Sequence, residues 1–350
     1  TERTGSVTEA EFDYLKTLKS ITDLLPQLGG NGHVPSTLNV SGLELKDGRL
    51  IVGEHVTMRR VFDEVRHLAR SRSIVLISGE TGTGKELVAR AIHDYSPRRA
   101  GTFLPVNCAA IQRDLIENEL FGHLQGSFTG AATSTKGVFE GASGGTLFLD
   151  EVSAMPLELQ TRFLRVLETK RVRSLGEVRE RKIDTRIVAA TNQNLRDLVR
   201  KGRFRSDLYH RLNVLQIELP PLRTRVSDVP ALCNHFLSDL NNKENRNVHI
   251  TEEALTLLRG YQFPGNVREL RNMVESVYHT AEYAIAADAI RSRLDPRSSN
   301  GSIDNDRLAE IMEEMTSGRS DFWRAVRKPF LNRDLSRREV RHIISLGLEA

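Results

Sequence analysis

The sequence predicts an α/β protein in which a mainly parallel sheet, flanked by helices, is followed by a small helical domain. Three observations predict it. Short apolar runs rich in β-branched residues recur from about residue 74 to 219, and amphipathic segments separate them. A glycine-rich loop, Gly79 to Lys85, stands between the first of these runs and a helical pattern. After Pro220-Pro221 the strand pattern stops and only helical periodicity continues.

The strands are expected at Ile74–Ile77, Phe103–Val106, Leu147–Leu149, Arg186–Ala189 and Val214–Leu219. Helical spacing lies between them, as at Leu159, Phe163, Val166 and Leu167. Beyond the prolines, Asp228-Val229-Pro230 opens one helix and Thr251 caps another. Gly265-Asn266 precedes a third, through Val267, Leu270, Val274 and Val277. The expected organisation is residues 1–48 as a linker with one weak helical pattern (Phe12, Leu15, Leu18, Ile21, Leu25) and a loose Gly29–Pro35 stretch. Residues 49–221 form the α/β domain, 222–292 the helical domain, and 293–350 a further linker and a basic helical tail.

A chain of 350 residues has room for two or three domains, and 39% hydrophobic residues suffice for a sizeable core. No apolar run approaches the length of a membrane span. The start, Thr1 to Thr4, carries no apolar leader and is read as an interior end of a longer protein. Two cysteines, Cys108 and Cys233, cannot make a disulfide framework or a zinc site and read as buried thiols in a reducing cytoplasm. The net charge of +4 is modest, and its excess is clearest between Arg319 and Arg341, where eight Lys/Arg face three Asp/Glu. Such a run is either a nucleic-acid contact or a solvated surface.

Gly79-Glu80-Thr81-Gly82-Thr83-Gly84-Lys85 has the strand-loop-helix context of a phosphate-binding loop. Its glycines let backbone N–H groups curl around phosphate oxygens, the helix N-terminus adds a favourable dipole, and Lys85 reaches the β and γ phosphates. Glu86 stands where a magnesium-binding Ser or Thr is usual, so Mg²⁺ must rely on another carboxylate, phosphate oxygens and water. That carboxylate is found at the end of Gly144-Gly145-Thr146-Leu147-Phe148-Leu149-Asp150-Glu151. Asp150 is placed to organise the metal and Glu151 to polarise the attacking water. Between the two motifs, Gly126-Ser127-Phe128-Thr129-Gly130-Ala131 offers an aromatic and a hydroxyl between glycines, a tip suited to a partner rather than to a core.

Together these motifs closely resemble the bacterial enhancer-binding proteins, the NtrC-like sigma-54 activators of the AAA+ class. The resemblance covers about residues 50–280. It implies an AAA+ P-loop NTPase domain followed by a helical lid, with ATP and Mg²⁺ as ligands. Family members also carry Glu at the position of Glu86, and usually Ala where this chain has Ser127. Val52 and Gly53 match the adenine-side segment. The nucleotide is expected along Gly79 to Lys85 with Glu86 and Leu87. Asn107 matches the asparagine that holds the catalytic glutamate in an inactive pose. Thr191 and Asn192 match sensor I, Arg205 and Arg211 the arginine fingers that reach a neighbouring subunit's nucleotide, and Arg268 sensor II in the lid. The 126–131 loop would contact sigma-54.

The resemblance further implies a homo-oligomeric ring, usually a hexamer, in the bacterial cytoplasm. That ring would act on the sigma-54 RNA polymerase holoenzyme at promoter DNA, from enhancer DNA. The tail from Asp334 to Leu346 resembles the first helix of a Fis-like helix-turn-helix whose groove-reading helix is absent. Two other classes remain in view: a general AAA+ unfoldase or loader, which the Phe128-Thr129 loop argues against, and a DNA-binding repressor that has lost its motor, which intact Asp150-Glu151 and arginines argue against.

Overall fold

The computed structural model describes residues 42–294 apart from 128–132, and Ile311 and Val326 beyond them; the side chains of residues 113 and 114 also fall outside the description. The expected N-terminal helix, the tip of the 126–131 loop and the basic tail lie outside the described residues.

The sheet has five parallel strands. They are β3 (Val75–Ser78), β4 (Phe103–Asn107), β7 (Thr146–Asp150), β10 (Arg186–Thr191) and β11 (Leu215–Glu218), in the order β11-β3-β10-β7-β4. Parallel strands need crossovers, and helices supply them on both faces, so the central strands β3, β7 and β10 are buried on both sides while the edge strands β4 and β11 are more exposed. The pleat then divides the central strands between two cores. Val75, Ile77, Phe148, Val188, Ala190 and Ile217 point to one face, where helices α1 (Val56–Ala69) and α2 (Lys85–Asp94) cover them. Leu76, Leu147, Leu149, Ile187 and Ala189 point to the other. There they meet α3 (Arg113–Phe121), α4 (Val138–Gly141), α5 (Leu157–Thr169), α6 (Leu195–Arg200) and α7 (Ser206–Leu212). Arg186 is buried at the start of β10 and donates from its two terminal nitrogens to Ala69 O (2.7 Å) and Leu68 O (2.8 Å). Ala69 O, at the end of α1, thereby gains a donor from the sheet, and Leu68 O, which also accepts from Ser71 N (3.1 Å), gains a further one.

Two expectations are corrected. The ordered α/β region begins before Arg49: β1 (Gly42–Glu44) pairs antiparallel with β2 (Leu50–Val52), and Leu43 and Leu45 are buried in the first core. An Asp47-Gly48 turn, with Gly48 at φ +80°, reverses the chain between them. Strands also do not stop at Pro221. In the helical region β12 (His249–Ile250) pairs in parallel with β13 (Ala284–Ile285), because each lies just before a helix and one side chain of each reaches the lid core.

That core is built by α8 (Val229–Glu244), α9 (Glu252–Arg259), α10 (Asn266–Tyr278) and α11 (Ala287–Leu294) around Phe263, Leu270, Val274 and Tyr278. Pro230 sits in the first turn of α8, and the Thr251 side chain accepts from Ala254 N to start α9. Asp228 fastens this region to the α/β region. Its fully buried carboxylate accepts from Glu54 N (2.8 Å) and His55 N (2.7 Å), and lies 3.6 Å from the buried Arg225 guanidinium. Asp228→Ala would strip two amides of their acceptor and the buried Arg225 guanidinium of its counter-charge at once. The expected loss, read by chemical denaturation, is about 3–5 kcal/mol, the range for breaking a buried ion pair; a loss no larger than that of an exposed substitution would contradict the joint.

Candidate functional site

The C-terminal ends of β3, β10 and β7 lie side by side, and the loops leaving them form one site. The 79–85 loop leaves β3 and enters α2. Gly82 and Gly84 have positive φ (+81° and +103°). A side chain at Gly82 would place its first carbon 2.2 Å from Gly265 O, so only glycine fits there. Lys85 is buried and donates to Gly79 O (3.0 Å) and Glu80 O (3.2 Å), with its ammonium 3.7 Å from Glu151 Oε1. Glu86 is exposed in the first turn of α2, where the helix dipole favours an acid.

Glu151 follows β7 in a left-handed conformation (φ +51°), uncommon for a side chain with a Cβ. Its Oε2 accepts from Asn192 N (3.2 Å), and Asp150 Oδ1 accepts from Glu151 N (3.0 Å). Asn192 Nδ2 in turn donates to Thr81 Oγ1 (3.0 Å). Acid, lysine, phosphate loop and the turn after β10 are thus linked in one chain of contacts. Thr191 is buried and its hydroxyl serves its own turn, bonding Gln193 O and N (3.1 and 3.0 Å). Asn107 is paired in register with Asp150, but its Oδ1 accepts from Ala109 N (2.9 Å) and Ala110 N (3.2 Å). The described partners of Glu151 are Lys85 and Asn192, not Asn107.

The loop separates two clefts. One, of about 540 Å³, has an apolar wall of Leu50, Val52, Met58, Leu87 and Val267, with Thr83 and Gly84 at its floor. Gly53 lies at the turn behind it, against Met58. The other, of about 430 Å³, is polar and includes Gly79, Glu80, Asn192, Arg196 and Glu218. An apolar slot joined to a glycine loop and a buried lysine suits a base and its phosphates. Among the described residues no three His, Cys, Asp or Glu gather as a metal cluster. Asp150 with phosphate oxygens is the donor set that fits a hard cation here.

The lid reaches this loop through α10: Arg268 N donates to Gly82 O (3.2 Å). Arg205 caps α7 and pairs with Asp207 (2.7 Å), while Arg211 donates to Leu167 O (3.3 Å). Among the described residues neither arginine contacts Lys85, Asp150 or Glu151 of its own chain. Gln160, which the sequence reading did not single out, is fully buried on α5 and holds this segment: its Oε1 accepts from Arg205 N (2.8 Å), and its Nε2 donates to Met155 O (2.9 Å).

Two hairpins stand together on the far side. Gly126 and Ser127 belong to the connection between β5 (Gly122–His123) and β6 (Thr135–Lys136), which pair antiparallel. Phe128, Thr129, Gly130 and Ala131 are outside the described residues. A second hairpin, β8 (Arg171–Val172) with β9 (Arg181–Lys182), was missed by the sequence reading. Leu175 in its connection exchanges backbone bonds with Gly122 and Leu124 (2.9 and 3.0 Å), and Val178 beyond it is 90% exposed. The alternation Arg171-Val172-Arg173, the turn residue Gly176 and the basic Arg181-Lys182 were the available signals.

Residues 51–218 match the domain family described as the Sigma-54 interaction domain, and residues 223–306 match the AAA+ ATPase lid domain. The chain belongs to the NtrC-like, sigma-54-dependent enhancer-binding proteins. The fold is the AAA+ P-loop NTPase fold with its lid. It is 47% identical over 266 residues to the DNA-binding transcriptional regulator NtrC of Rhizobium meliloti (strain 1021), covering 75% of this chain and 54% of that one. It is 47% identical over 258 residues to the DNA-binding transcriptional activator HyfR of Escherichia coli (strain K12), covering 73% and 38%. The crystal structure of NtrX from Brucella abortus in complex with ADP superposes with a TM-score of 0.65 at 32% identity, covering 82% of this chain and 61% of that one. The chain therefore spans about half the length of the curated relatives it matches. No helix among the described residues is long and apolar enough to cross a membrane.

Cys108 borders the site, its N–H donating to Asp150 O (2.9 Å). Burial first, then the charges of Asp150 and Glu151, pushes its thiol up to about 12, and burial alone does the same for Cys233. At pH 8 a thiolate fraction on the order of 10⁻⁴ is expected, so neither thiol should react with an aromatic disulfide until the protein unfolds. Rapid labelling of either in the native state would contradict this burial.

Proposed function

We propose that this chain is the ATP-hydrolysing motor of a sigma-54-dependent activator, which remodels the closed complex of sigma-54 RNA polymerase at a promoter. The observation that carries the catalytic half is the contact chain from Thr81 through Asn192 and Glu151 to Lys85. The loop amides and Lys85 hold the phosphates, and the apolar slot at Val52 and Leu87 takes the adenine. Bound Mg²⁺, held by Asp150 with phosphate oxygens and water, would supply positive charge against the developing negative charge. Glu151 takes a proton from the water that attacks the γ-phosphorus as the bond to the β-bridging oxygen breaks. Asn192, linked to both Thr81 and Glu151, registers whether that phosphate is present.

Arg205 and Arg211 point their chemistry away from their own loop, which suits fingers acting on a neighbour in a ring. Arg268 reports nucleotide state through the lid. The Asn107 amide takes over the Glu151 carboxylate in the inactive pose, a contact it can make and release at small cost. The cycle moves the 126–131 loop against sigma-54 from a site in the bacterial cytoplasm. Domain boundaries near residues 221 and 292 fit this division of labour.

Three tests follow from these roles. ATP hydrolysis should require magnesium and rise steeply with protein concentration. Lys85→Ala should lose nucleotide binding, whereas Glu151→Gln should bind ATP and turn over about 100-fold more slowly or worse; turnover per subunit that stays constant from monomer to ring would sink the shared site. Arg205→Ala or Arg211→Ala should each lose hydrolysis yet recover part of it when mixed with Lys85→Ala subunits. Thr129→Ala should keep ATPase activity and ring formation but no longer be captured with sigma-54 in the presence of a metal-fluoride analogue. Ser127→Ala should be tolerated, since the buried Ser127 hydroxyl has no hydrogen-bond partner among the described residues. Equal capture of wild type and Thr129→Ala in every nucleotide state would return the unfoldase reading to the front.

A further inference from the structure

Glu80, the second residue of the phosphate loop, carries a negative charge into a loop read here as an anion site. Its carboxylate does not face the loop's interior. It forms a two-pronged ion pair with Arg223, Oε1 accepting from Nη2 (2.6 Å) and Oε2 from Nη1 (2.7 Å). Arg223 lies on a short 3₁₀ turn, Leu222–Thr224, directly after Pro220-Pro221, where the chain leaves the sheet for the lid. Glu80 Oε2 also accepts from Asn266 Nδ2 (3.1 Å).

Asn266 is fully buried at the first position of α10, in a left-handed conformation (φ +54°), and every polar atom of its side chain is used. Its Oδ1 accepts from Leu222 N (2.9 Å), and its Nδ2 donates both to Glu80 and to Thr81 O (3.0 Å). Arg268 N adds the bond to Gly82 O (3.2 Å). Two successive carbonyls of the phosphate loop are therefore held from the lid side. In a trans peptide the C=O and the next N–H point in opposite directions. Holding Thr81 O and Gly82 O outward turns the N–H groups of Gly82 and Thr83 the other way, into the loop, the side a phosphate-binding nest uses; there Thr83 N donates over a long 3.4 Å to Glu80 O, a contact a bound phosphate would replace.

We propose that Glu80 and Arg223 form a latch by which the lid orients the phosphate loop, making Arg223 a positioning residue for nucleotide binding. The proposal rests on the reading of the 79–85 loop as the nucleotide site. Arg223 has two effects that act together. It draws the Glu80 carboxylate toward the lid, where Asn266 can bond it, and it neutralises a charge that would otherwise repel phosphate. The Arg223 guanidinium, with Asn266 second, holds the Glu80 carboxyl at about 2. The latch is therefore complete above the ordinary carboxyl value of 4.5 and is lost only as pH falls through about 2, so it is closed throughout the neutral range.

Both partners are about two-fifths exposed, so substitutions there leave the core intact and the effect on affinity is modest. Arg223→Glu should raise the dissociation constant for a fluorescent ADP analogue about fivefold, the upper range for an exposed pair, and the KM for ATP in step, with a smaller effect on kcat. It should also speed amide hydrogen exchange at Gly82, Thr83 and residues 266–270. The charge exchange, Glu80→Arg with Arg223→Glu, should restore part of the affinity and of the exchange protection together, short of wild type because an arginine at position 80 cannot accept from Asn266 Nδ2; a purely local packing role would restore neither. Unchanged affinity and exchange in Arg223→Glu, or a double variant no better than the single one, would overturn the latch. Wild-type protein that binds no ADP would instead refute the nucleotide reading, and hydrogen exchange would still decide whether the lid holds the loop.

Discussion

Strand β10 hydrogen-bonds to β3 along one edge and to β7 along the other, in a register that aligns Thr191 with Ser78 and Ala189 with Leu149. Every element of the site is placed by that double pairing. The strands are parallel, so their C-terminal ends open on one side, and three consecutive neighbours deliver a phosphate loop, a polar turn and a pair of acids to one crevice. A slip of one residue in β10 would turn its apolar set from one core to the other and carry Asn192 away from both Thr81 and Glu151. The cores enforce the register: Val188 and Ala190 have no room except under α1 and α2, and Ile187 and Ala189 none except on the opposite face. The geometry of the acid and the lysine is thus a consequence of apolar packing some distance from either.

The central strands were legible because parallel strands buried on both faces are written as nearly uninterrupted apolar runs, and the edge strand β11 because its Leu215-Gln216-Ile217-Glu218 alternates; Lys85, Asp150 and Glu151 were legible because their motifs sit at or follow the ends of central strands. Other features had weaker signatures. The β1–β2 hairpin carries an Asp-Gly turn, yet its strands are three residues long and lie beside a loose segment that masked them. The pairing of β12 with β13 joins residues 35 positions apart through two residues each, which no local pattern records. Asn266 reads as a helix start in sequence, and so it is. Its partners Glu80, Thr81 and Leu222 are distant in the chain and could be found only in three dimensions. Gln160 is similar: a polar residue at a helical core position gives no hint that it holds the backbone at Arg205.

The buried polar groups of this protein are concentrated where one region of the chain meets another. Arg186 closes the end of α1 from the sheet, Asp228 collects two amides of the segment before α1, Asn266 ties the lid to the phosphate loop, and Gln160 ties α5 to α7. Apolar contact alone would let such junctions slide, because dispersion has little directional preference. Hydrogen bonds to a desolvated amide have strict geometry and are costly to leave unmade. The module can therefore hold stiff layers at defined angles while keeping a few discrete joints whose rearrangement is a step rather than a drift.

The backbone bonds between Leu175 and the segment from Gly122 to Leu124 join the two hairpins into one patch of two ribbons. A lone two-stranded ribbon of this length is marginal in water. Here each ribbon borrows an edge from the other, and neither edge is left open at the base. A chimera that imports one ribbon alone would bring an edge whose side chains were fitted to a different neighbour. Gly176 illustrates the fit, since a first side-chain carbon there would lie 2.8 Å from the Cβ of Ser127. Transplanting this patch between relatives is accordingly a matter of moving both ribbons as one unit.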